Sequence, residues 1–320
     1  MPRVTTGDID IVFRGRTTET DWRYGLTIIA CWLDESYGVK SLSALADARA
    51  SSKVNGIWKV HSDATIKLFA IEVRCFKVDS MIYGLGAHVN PYYETNIGIG
   101  FAGHCFEALT VISHIQRAMN LLCSPDPGNP LPEPDGLLNL AKTIAERYLI
   151  DHQFGAHRDL EMVLFGWAGP NDPWIGKLVW NKNNKEVSSE LTTPTAADIV
   201  TVGDGYRASS ALPFATKIRR KISRQIQRVL RWPATEQQEF SKAILSIEAS
   251  KRIEQGIGEL VENEFVKTVG GVRQKLAISY YTKRAYAAFT ADDQPKLMDG
   301  LPSVCQHSTL EPIPIVSKMP

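Results

Sequence analysis

Three glycines at a spacing typical of phosphate-binding loops stand between a predicted strand and a predicted helix. The motif is Gly98-x-Gly100-x-x-Gly103, and in dinucleotide-binding folds this spacing lets a helix N-terminus approach a pyrophosphate. That chemistry also needs an acidic ribose ligand about 20 residues further on, after a second parallel strand. The acid at that distance is Asp126, which lies in a proline-rich stretch. Close approach of strand and helix backbones is therefore the favoured explanation of the glycines.

The histidine and serine patterns indicate neither a zinc site nor a Ser-His-Asp hydrolase. His152 and His157 are five residues apart, one more than in a helical HExxH motif, and no glutamate lies between them. The sequence has no GxSxG motif. We therefore expect no metal ion and no other cofactor.

One predicted helix could meet an anionic partner. Residues 217–231 (KIRRKISRQIQRVLR) contain seven basic residues and no acid. Isoleucines at 218, 222 and 226 give the helix an apolar stripe that would pack on the protein. Because the net charge of the chain is only +1, a solvated basic face is favoured over nucleic-acid binding. A basic-helix binding module remains an alternative function.

The composition is that of a globular domain with a substantial core. The 320 residues are 44% hydrophobic and 22% charged, which is ordinary for soluble proteins. No apolar run approaches the roughly 20 residues that a membrane-spanning helix needs, so no membrane association is expected. The five cysteines include no CxxC pair, a pattern typical of reduced thiols and of a cytoplasmic protein.

The elements that must position any site alternate between groups of strands and pairs of helices. Apolar and β-branched runs predict strands at 26–33, 39–51, 65–76, 97–103, 160–168, 174–180, 198–202 and 272–279. Helical spacing predicts helices at 104–122, 136–150, 212–231 and about 235–268. Because strands and helices do not alternate one by one, the order argues against a parallel doubly wound sheet.

Six short motifs occur in an order that a known family shares. They are 25–30 (GLTIIA), 45–51 (LADARAS), 63–71 (DATIKLFAI), 100–103 (GFAG), 202–205 (VGDG) and 269–271 (VGG). Together they resemble the motifs of proteasome β-subunits, which are N-terminal-nucleophile (Ntn) hydrolases. The resemblance runs from residue 25 to about 285 and implies an α/β fold, a four-layer αββα sandwich of two antiparallel sheets.

The resemblance also implies a division of the chain. Residues 1–25 would be an N-terminal extension or leader. The domain would occupy 26–290, with insertions near 77–96, 123–135 and 207–235. Residues 291–320 would form a C-terminal tail.

Carried over residue by residue, the resemblance implies a damaged active site. In that family an N-terminal threonine attacks amide bonds and uses its own amine as the base. Lys67 and Asp47 match the supporting lysine and aspartate, and the backbone N–H of Gly103 matches the oxyanion donor. The nucleophile position falls on Leu26, which has no hydroxyl. Further polar support positions fall on Asp204, Val266 and Val269.

A register one residue later would make Thr27 the nucleophile. Strand alternation puts Leu26, Ile28 and Ala30 on one side and Thr27 on the other. We therefore expect that Thr27 would need a bulge to reach Lys67.

The leading interpretation is a catalytically degenerate, proteasome-like subunit that acts through self-assembly. In that case Asp47 and Lys67 form a structural ion pair under the first strand. A homo-oligomer is implied by the resemblance, and a peptide or protein ligand is a further possible partner. The alternative is an active threonine-type peptidase or amidohydrolase with Thr27 as its N-terminal nucleophile after leader removal.

Overall fold

The computed structural model describes most of the chain between residues 27 and 302. The described residues are 27–34, 40–54, 57–62, 65–77, 81–82, 87–88, 90–124, 128–152, 159–195, 199–203, 273–280, 285–291, 294–298 and 301–302. Leu26, Asp204, Val266 and Val269 lie outside them. The predicted helices at 212–231 and 235–268 and the leader at 1–25 lie outside them as well.

The described residues form seventeen strands and two helices. The strands up to the first helix are β1 (Ile29–Asp34), β2 (Ser41–Ala46), β3 (Ala50–Val54), β4 (Ile57–Ser62), β5 (Leu68–Lys77), β6 (Met81–Ile82), β7 (Ala87–His88) and β8 (Tyr93–Gly103). Then come α1 (Cys105–Met119), β9 (Leu122–Ser124) and α2 (Pro134–Asp151). The remaining strands are β10 (Leu160–Gly169), β11 (Asp172–Asn181), β12 (Glu186–Thr192), β13 (Ile199–Val202), β14 (Arg273–Ser279), β15 (Ala285–Ala291), β16 (Gln294–Met298) and β17 (Leu301–Pro302).

Two large sheets contain most of these strands. The seven-stranded sheet has the order β13-β1-β2-β14-β15-β16-β17, and all its neighbours are antiparallel. The six-stranded sheet has the order β12-β11-β10-β8-β5-β9, and β9 runs parallel to β5 at its edge. Two short ribbons, β3-β4 and β6-β7, stand apart from the large sheets.

The two sheets pack face to face, and the helices cover the outer face of the six-stranded sheet. One apolar cluster lies between the sheets and includes Ile29 and Cys31 from β1 and Phe165 from β10. A second cluster lies between the six-stranded sheet and both helices, and includes Phe101 and Leu164. Successive side chains of β10 belong to different clusters, because they point to opposite faces of the sheet. Leu164 faces the helices and Phe165 faces the seven-stranded sheet.

The helices have sequence features that explain their bounds. Apolar side chains on α1 recur every three or four residues and are buried at Val111, Ile115 and Met119, which is the pattern of one packed helix face. Helix α2 begins with Pro134 in its first turn, where the missing N–H of proline costs no hydrogen bond. None of the described helices is long and apolar enough to span a bilayer.

The predicted α/β class, with a four-layer αββα sandwich, is wrong. The described chain is mostly β, and both described helices lie on one side of the six-stranded sheet. Observed strands overlap each predicted strand, namely those at 26–33, 39–51, 65–76, 97–103, 160–168, 174–180, 198–202 and 272–279, although the stretch predicted as one strand at 39–51 contains β2 and the start of β3. The prediction missed polar or late strands, among them β12 (EVSSELT) and β15 to β17. Strand β12 lacks the apolar run by which strands were recognised. Strand β15 (AYAAFTA) has such a run and was overlooked, so the β content was underestimated.

The glycine motif of β8 is a packing device between the sheets. A methyl group at Gly98 would overlap the ring of Phe165. One at Gly100 would lie 2.8 Å from Leu68 Cδ2 and 3.1 Å from Ile29 Cδ1. Both glycines lie inside an antiparallel strand, so they form no phosphate loop. They make room for side chains between the sheets, not for the predicted close approach of strand and helix backbones.

Gly98→Ala tests this packing. The added methyl must displace the Phe165 ring, and overpacking of this kind costs about 1–3 kcal/mol of unfolding free energy. Gly136→Ala in α2 is the matched control, because its new methyl would meet nothing within 4 Å and alanine is the better helix former by up to about 1 kcal/mol. Urea unfolding measures both, and equal stability of Gly98→Ala and the wild type would contradict the packing role.

Candidate active site

The ammonium of Lys67 lies at the centre of a buried polar cluster. Its Nζ is 2.9 Å from Thr27 Oγ1, 3.1 Å from each carboxylate oxygen of Asp47 and 2.7 Å from the Arg49 carbonyl oxygen. The Lys67 and Asp47 side chains are 1% and 0% exposed. Every partner can accept a hydrogen bond, which matches a lysine ammonium that can only donate.

Asp47 ties this cluster to the start of the first strand. Its Oδ1 accepts a hydrogen bond from Ile28 N at 3.0 Å, and its Oδ2 accepts one from Arg49 N at 3.2 Å. Asp47 N in turn donates to Ile28 O at 3.3 Å. Because Asp47 follows β2 and Ile28 precedes β1, these bonds extend the pairing of the two strands and fix the backbone next to Thr27.

The chain just before β5 carries Lys67 into the cluster from the other sheet. Lys67 O accepts from Phe101 N at 3.2 Å, and Thr65 N donates to Ala48 O at 2.9 Å. The side chain of Gln274, on β14, also contacts this segment. Its Oε1 accepts from Lys67 N at 2.8 Å and from Leu68 N at 3.4 Å, and its Nε2 donates to Thr65 O.

A second ion pair, with a buried carboxylate and a partly exposed lysine, supports the other side of Thr27. Gly203 lies against the Thr27 carbonyl oxygen, with no room for a side chain, and has a φ of +94° that favours glycine. Gly203 N donates to Glu161 Oε2 at 3.0 Å, and Lys177 Nζ lies 3.4 Å from the same oxygen. Glu161 is buried, so its contacts hold the end of β13 beside Thr27.

The structure brings three of the four predicted site residues together. Thr27, Asp47 and Lys67 are in direct contact. The fourth residue, Gly103, has a φ of +116°. It follows Ala102, whose side chain lies close to Gly203: a Cβ added at Gly203 would be 3.0 Å from the Ala102 Cβ. Donation from Gly103 N–H to a substrate oxygen stays a prediction.

The expectation that Thr27 needs a bulge to reach Lys67 is wrong. Thr27 is two and four residues before Ile29 and Cys31, so its side chain points to the same side of the strand as theirs, into the space between the two sheets. Lys67 enters from the opposing sheet, so the Thr27 hydroxyl meets its ammonium directly. Both faces of β1 are buried, and the sequence therefore gave no polar pattern to tell which face is the inner one.

Sequence reasoning missed Gln274, Glu161 and Cys105. Cys105, the first residue of α1, lies close enough to Lys67 and Asp47 to interact with both charges. Burial raises the pKa of its thiol, the Lys67 charge opposes that rise, and the Asp47 charge adds to it. Burial is the largest of these effects, so the pKa of the Cys105 thiol lies above its ordinary value and thiolate formation is disfavoured.

Only one histidine of the His152/His157 pattern lies within the described residues. His152 follows α2, where its ring stacks on Tyr148 with centroids 4.1 Å apart. His157 lies outside the described residues. No group of three or more potential metal ligands comes together within the described part of the chain.

Comparison with known proteins finds weak similarity to one group of solved structures. No family model matches the chain. No curated protein matches it either. Among the similar solved structures are three Anbu proteins.

One is the helical assembly of the Anbu complex from Pseudomonas aeruginosa, which has 13% sequence identity to this chain over 84% of this chain and 88% of that chain, with a TM-score of 0.44. Another is Anbu (ancestral beta-subunit) from Yersinia bercovieri. The second has 14% identity over 83% and 88%, with a TM-score of 0.42.

The third structure is an Anbu Gly-1 mutant from Hyphomicrobium sp. strain MC1. It has 12% identity over 84% of this chain and 89% of that chain, with a TM-score of 0.46. Similarity this distant carries no argument about activity or assembly. The predicted membership of the proteasome β-subunit family is wrong, because no family model matches and the chain aligns with these structures only at this level.

Asp47→Ala tests the buried cluster. Removing the carboxylate leaves the Lys67 ammonium buried without its anionic partner, which costs about 3–5 kcal/mol of unfolding free energy. Glu72→Ala is the control, because Glu72 pairs with Arg74 at 2.7 Å where both side chains are about one third exposed, and loss of such a pair costs about 1 kcal/mol or less. Urea unfolding that shows equal, small losses for the two variants would contradict this account.

Proposed function

We propose that this protein hydrolyses amide bonds with the hydroxyl of Thr27 as the nucleophile. The observation that carries the proposal is the 2.9 Å contact between Thr27 Oγ1 and Lys67 Nζ inside the buried cluster. A positive charge at this distance stabilises the negative charge that develops on Oγ1 as the hydroxyl loses its proton. Asp47 and the Arg49 carbonyl orient the ammonium, so this stabilisation is in place before a substrate arrives.

The base in this proposal is the α-amine of Thr27, which becomes free when the Leu26–Thr27 peptide bond is cleaved. In self-cleavage, Thr27 Oγ1 attacks the carbonyl carbon of Leu26, and the hydroxyl proton passes to the departing Thr27 nitrogen. The resulting ester is hydrolysed by one water molecule. The products are a carboxylate at Leu26 and an amine at Thr27.

The catalytic cycle repeats this chemistry on a separate amide. The free amine takes the hydroxyl proton, Oγ1 attacks the substrate carbonyl carbon, and a tetrahedral oxyanion forms. A backbone N–H such as that of Gly103 would bind the oxyanion. The intermediate expels an amine, which takes the proton, and water then releases the acid from the ester on Thr27. A peptide or protein fits as substrate, since its backbone is a chain of amides.

The Thr27 contact supports the enzymatic alternative over a degenerate subunit. The degenerate interpretation depends on Leu26 occupying the nucleophile position. The described cluster instead places a hydroxyl, that of Thr27, next to Lys67. In that arrangement the Asp47–Lys67 pair stabilises the fold and also places the ammonium against the hydroxyl that it would activate.

Thr27→Ala should abolish both self-cleavage and amide hydrolysis. The wild type is expected to have Thr27 at its N-terminus by intact mass and to hydrolyse fluorogenic peptide amides. Loss of a nucleophile lowers kcat by several orders of magnitude, at least about 1,000-fold here. Thr27→Ser keeps a hydroxyl and should retain measurable hydrolysis. The control is Thr143→Ala, whose hydroxyl lies on the exposed surface of α2 and bonds to Asn139 O. A full-length wild type without hydrolysis would refute the proposal.

Self-association is a second candidate function, and exposed apolar side chains on α1 favour it. Phe106 is 71% exposed and Leu109 is 41% exposed, and their spacing of three puts them on one helix face. Exposed apolar patches often mark protein–protein contacts.

Residues 217–231, the predicted basic helix, lie outside the described residues. Binding through this segment stays a prediction, as does a cytoplasmic location.

Changing Phe106 and Leu109 together to serine should weaken any homo-oligomer, because it removes the apolar area that association would bury. Light scattering at several concentrations should show a multimer for the wild type and a shift towards a monomer of at most about 35.5 kDa for the variant. Ile57→Ser on β4 is the control, because Ile57 is 74% exposed and lies on a different element. A wild type that stays monomeric at every concentration would refute self-association.

A further inference from the structure

We propose that Gln274 is a positioning residue for Lys67: its side-chain amide holds the backbone around Lys67 and so sets the distance from the ammonium to the Thr27 hydroxyl. The inference rests on the proposed function of Thr27. It concerns a residue whose side chain bonds to the backbone of residues 65–68 and would act through the lysine.

The side-chain hydrogen bonds of Gln274 in the described structure go to the segment that carries Lys67. Its carbonyl oxygen accepts from the backbone N–H groups of Lys67 and Leu68, and its NH₂ group donates to Thr65 O. Only this orientation of the amide works, because the reverse would point NH₂ at two N–H groups. The side chain is 1% exposed, so water cannot easily replace these bonds when the side chain is removed.

The Gln274 side chain supplies to residues 65–68 the hydrogen bonds that a neighbouring strand would otherwise supply. Strand β5 begins at Leu68, where it pairs with Gly100 of β8. On its other side, Lys67 N points to the seven-stranded sheet, where the Gln274 amide receives it. The contact therefore crosses from one sheet to the other at the point where the backbone must turn the lysine towards Thr27.

The position of Gln274 also links the two members of the ion pair. Gln274 pairs with Ala46 in the register of β14 and β2, and Asp47 is the next residue along the chain. One site on β14 thus fixes the backbone beside Asp47 through sheet pairing and the backbone of Lys67 through its side chain. Loss of the side chain releases only the second restraint.

Release of that restraint should affect the chemical step more than substrate binding. The Asp47–Lys67 attraction remains, but residues 65–68 can shift and lengthen the contact between Nζ and Oγ1. A misplacement of about 1 Å in such a site can cost roughly 100-fold in rate. The geometry therefore predicts a lower kcat with little change in KM.

The experiment compares Gln274→Met with Ser279→Ala. Methionine is close in size to glutamine and makes none of the three hydrogen bonds. Ser279 is buried in the same strand, and its hydroxyl has no hydrogen-bond partner among the described residues. We expect kcat for a fluorogenic peptide amide to fall about 10- to 100-fold in Gln274→Met, with KM within about twofold, and Ser279→Ala to match the wild type. Gln274→Asn, which keeps an amide on a shorter side chain, should give an intermediate loss and serves if Gln274→Met does not fold.

A second readout does not need activity. Amide hydrogen exchange across residues 65–68 and reductive methylation of Lys67 should both be faster in Gln274→Met than in Ser279→Ala. An active wild type with unchanged kcat in the folded Gln274 variants would overturn the inference and leave the Thr27 proposal standing. A wild type with no hydrolysis would refute the Thr27 proposal. In that case unchanged exchange and methylation would refute the role of Gln274 in holding Lys67 as well.

Discussion

The burial of one ammonium group constrains the arrangement of the whole site. An unpaired charge between two sheets would be strongly destabilising, so Lys67 needs acceptors that are themselves fixed in place. Asp47 supplies a carboxylate that is held by two backbone N–H groups, and Arg49 supplies a carbonyl. Because Lys67 precedes a strand of one sheet and Asp47 follows a strand of the other, their pairing joins the sheets beside Thr27.

Close packing makes that pairing geometrically possible. The glycines of β8 let Phe165, Leu68 and Ile29 occupy the space between the sheets, and the short distance between the sheets lets a lysine from one reach the carboxylate of the other. The apolar surroundings then strengthen the electrostatic interactions within the cluster, since less water is present to screen them. The polar site and the apolar core are thus parts of one packing arrangement.

The sequence predicted the strands near the site and three residues that meet there, but not their geometry. Lys67 and Asp47 were found through short motifs, whereas the face of Thr27 was misassigned because every residue of β1 is buried and apolar alternation carries no information in such a strand. Gln274 is a single polar residue 207 positions from Lys67, and no local pattern links the two. The predicted sandwich failed for a different reason: polar strands such as Glu186–Thr192 resemble loops in sequence.

The separation of Gln274 from Lys67 also has a consequence during protein synthesis. Strand β14 (Arg273–Ser279) lies between β2 and β15, so the middle of the seven-stranded sheet cannot form until this late strand has left the ribosome. The two positions are 207 residues apart in the sequence, a length that takes about 10 to 40 s to translate at typical elongation rates. During this interval Thr27 and Lys67 exist in a nascent chain whose lysine segment has no Gln274 partner. The hydroxyl and the ammonium therefore reach their final geometry only after Gln274 has been synthesised and has joined the sheet.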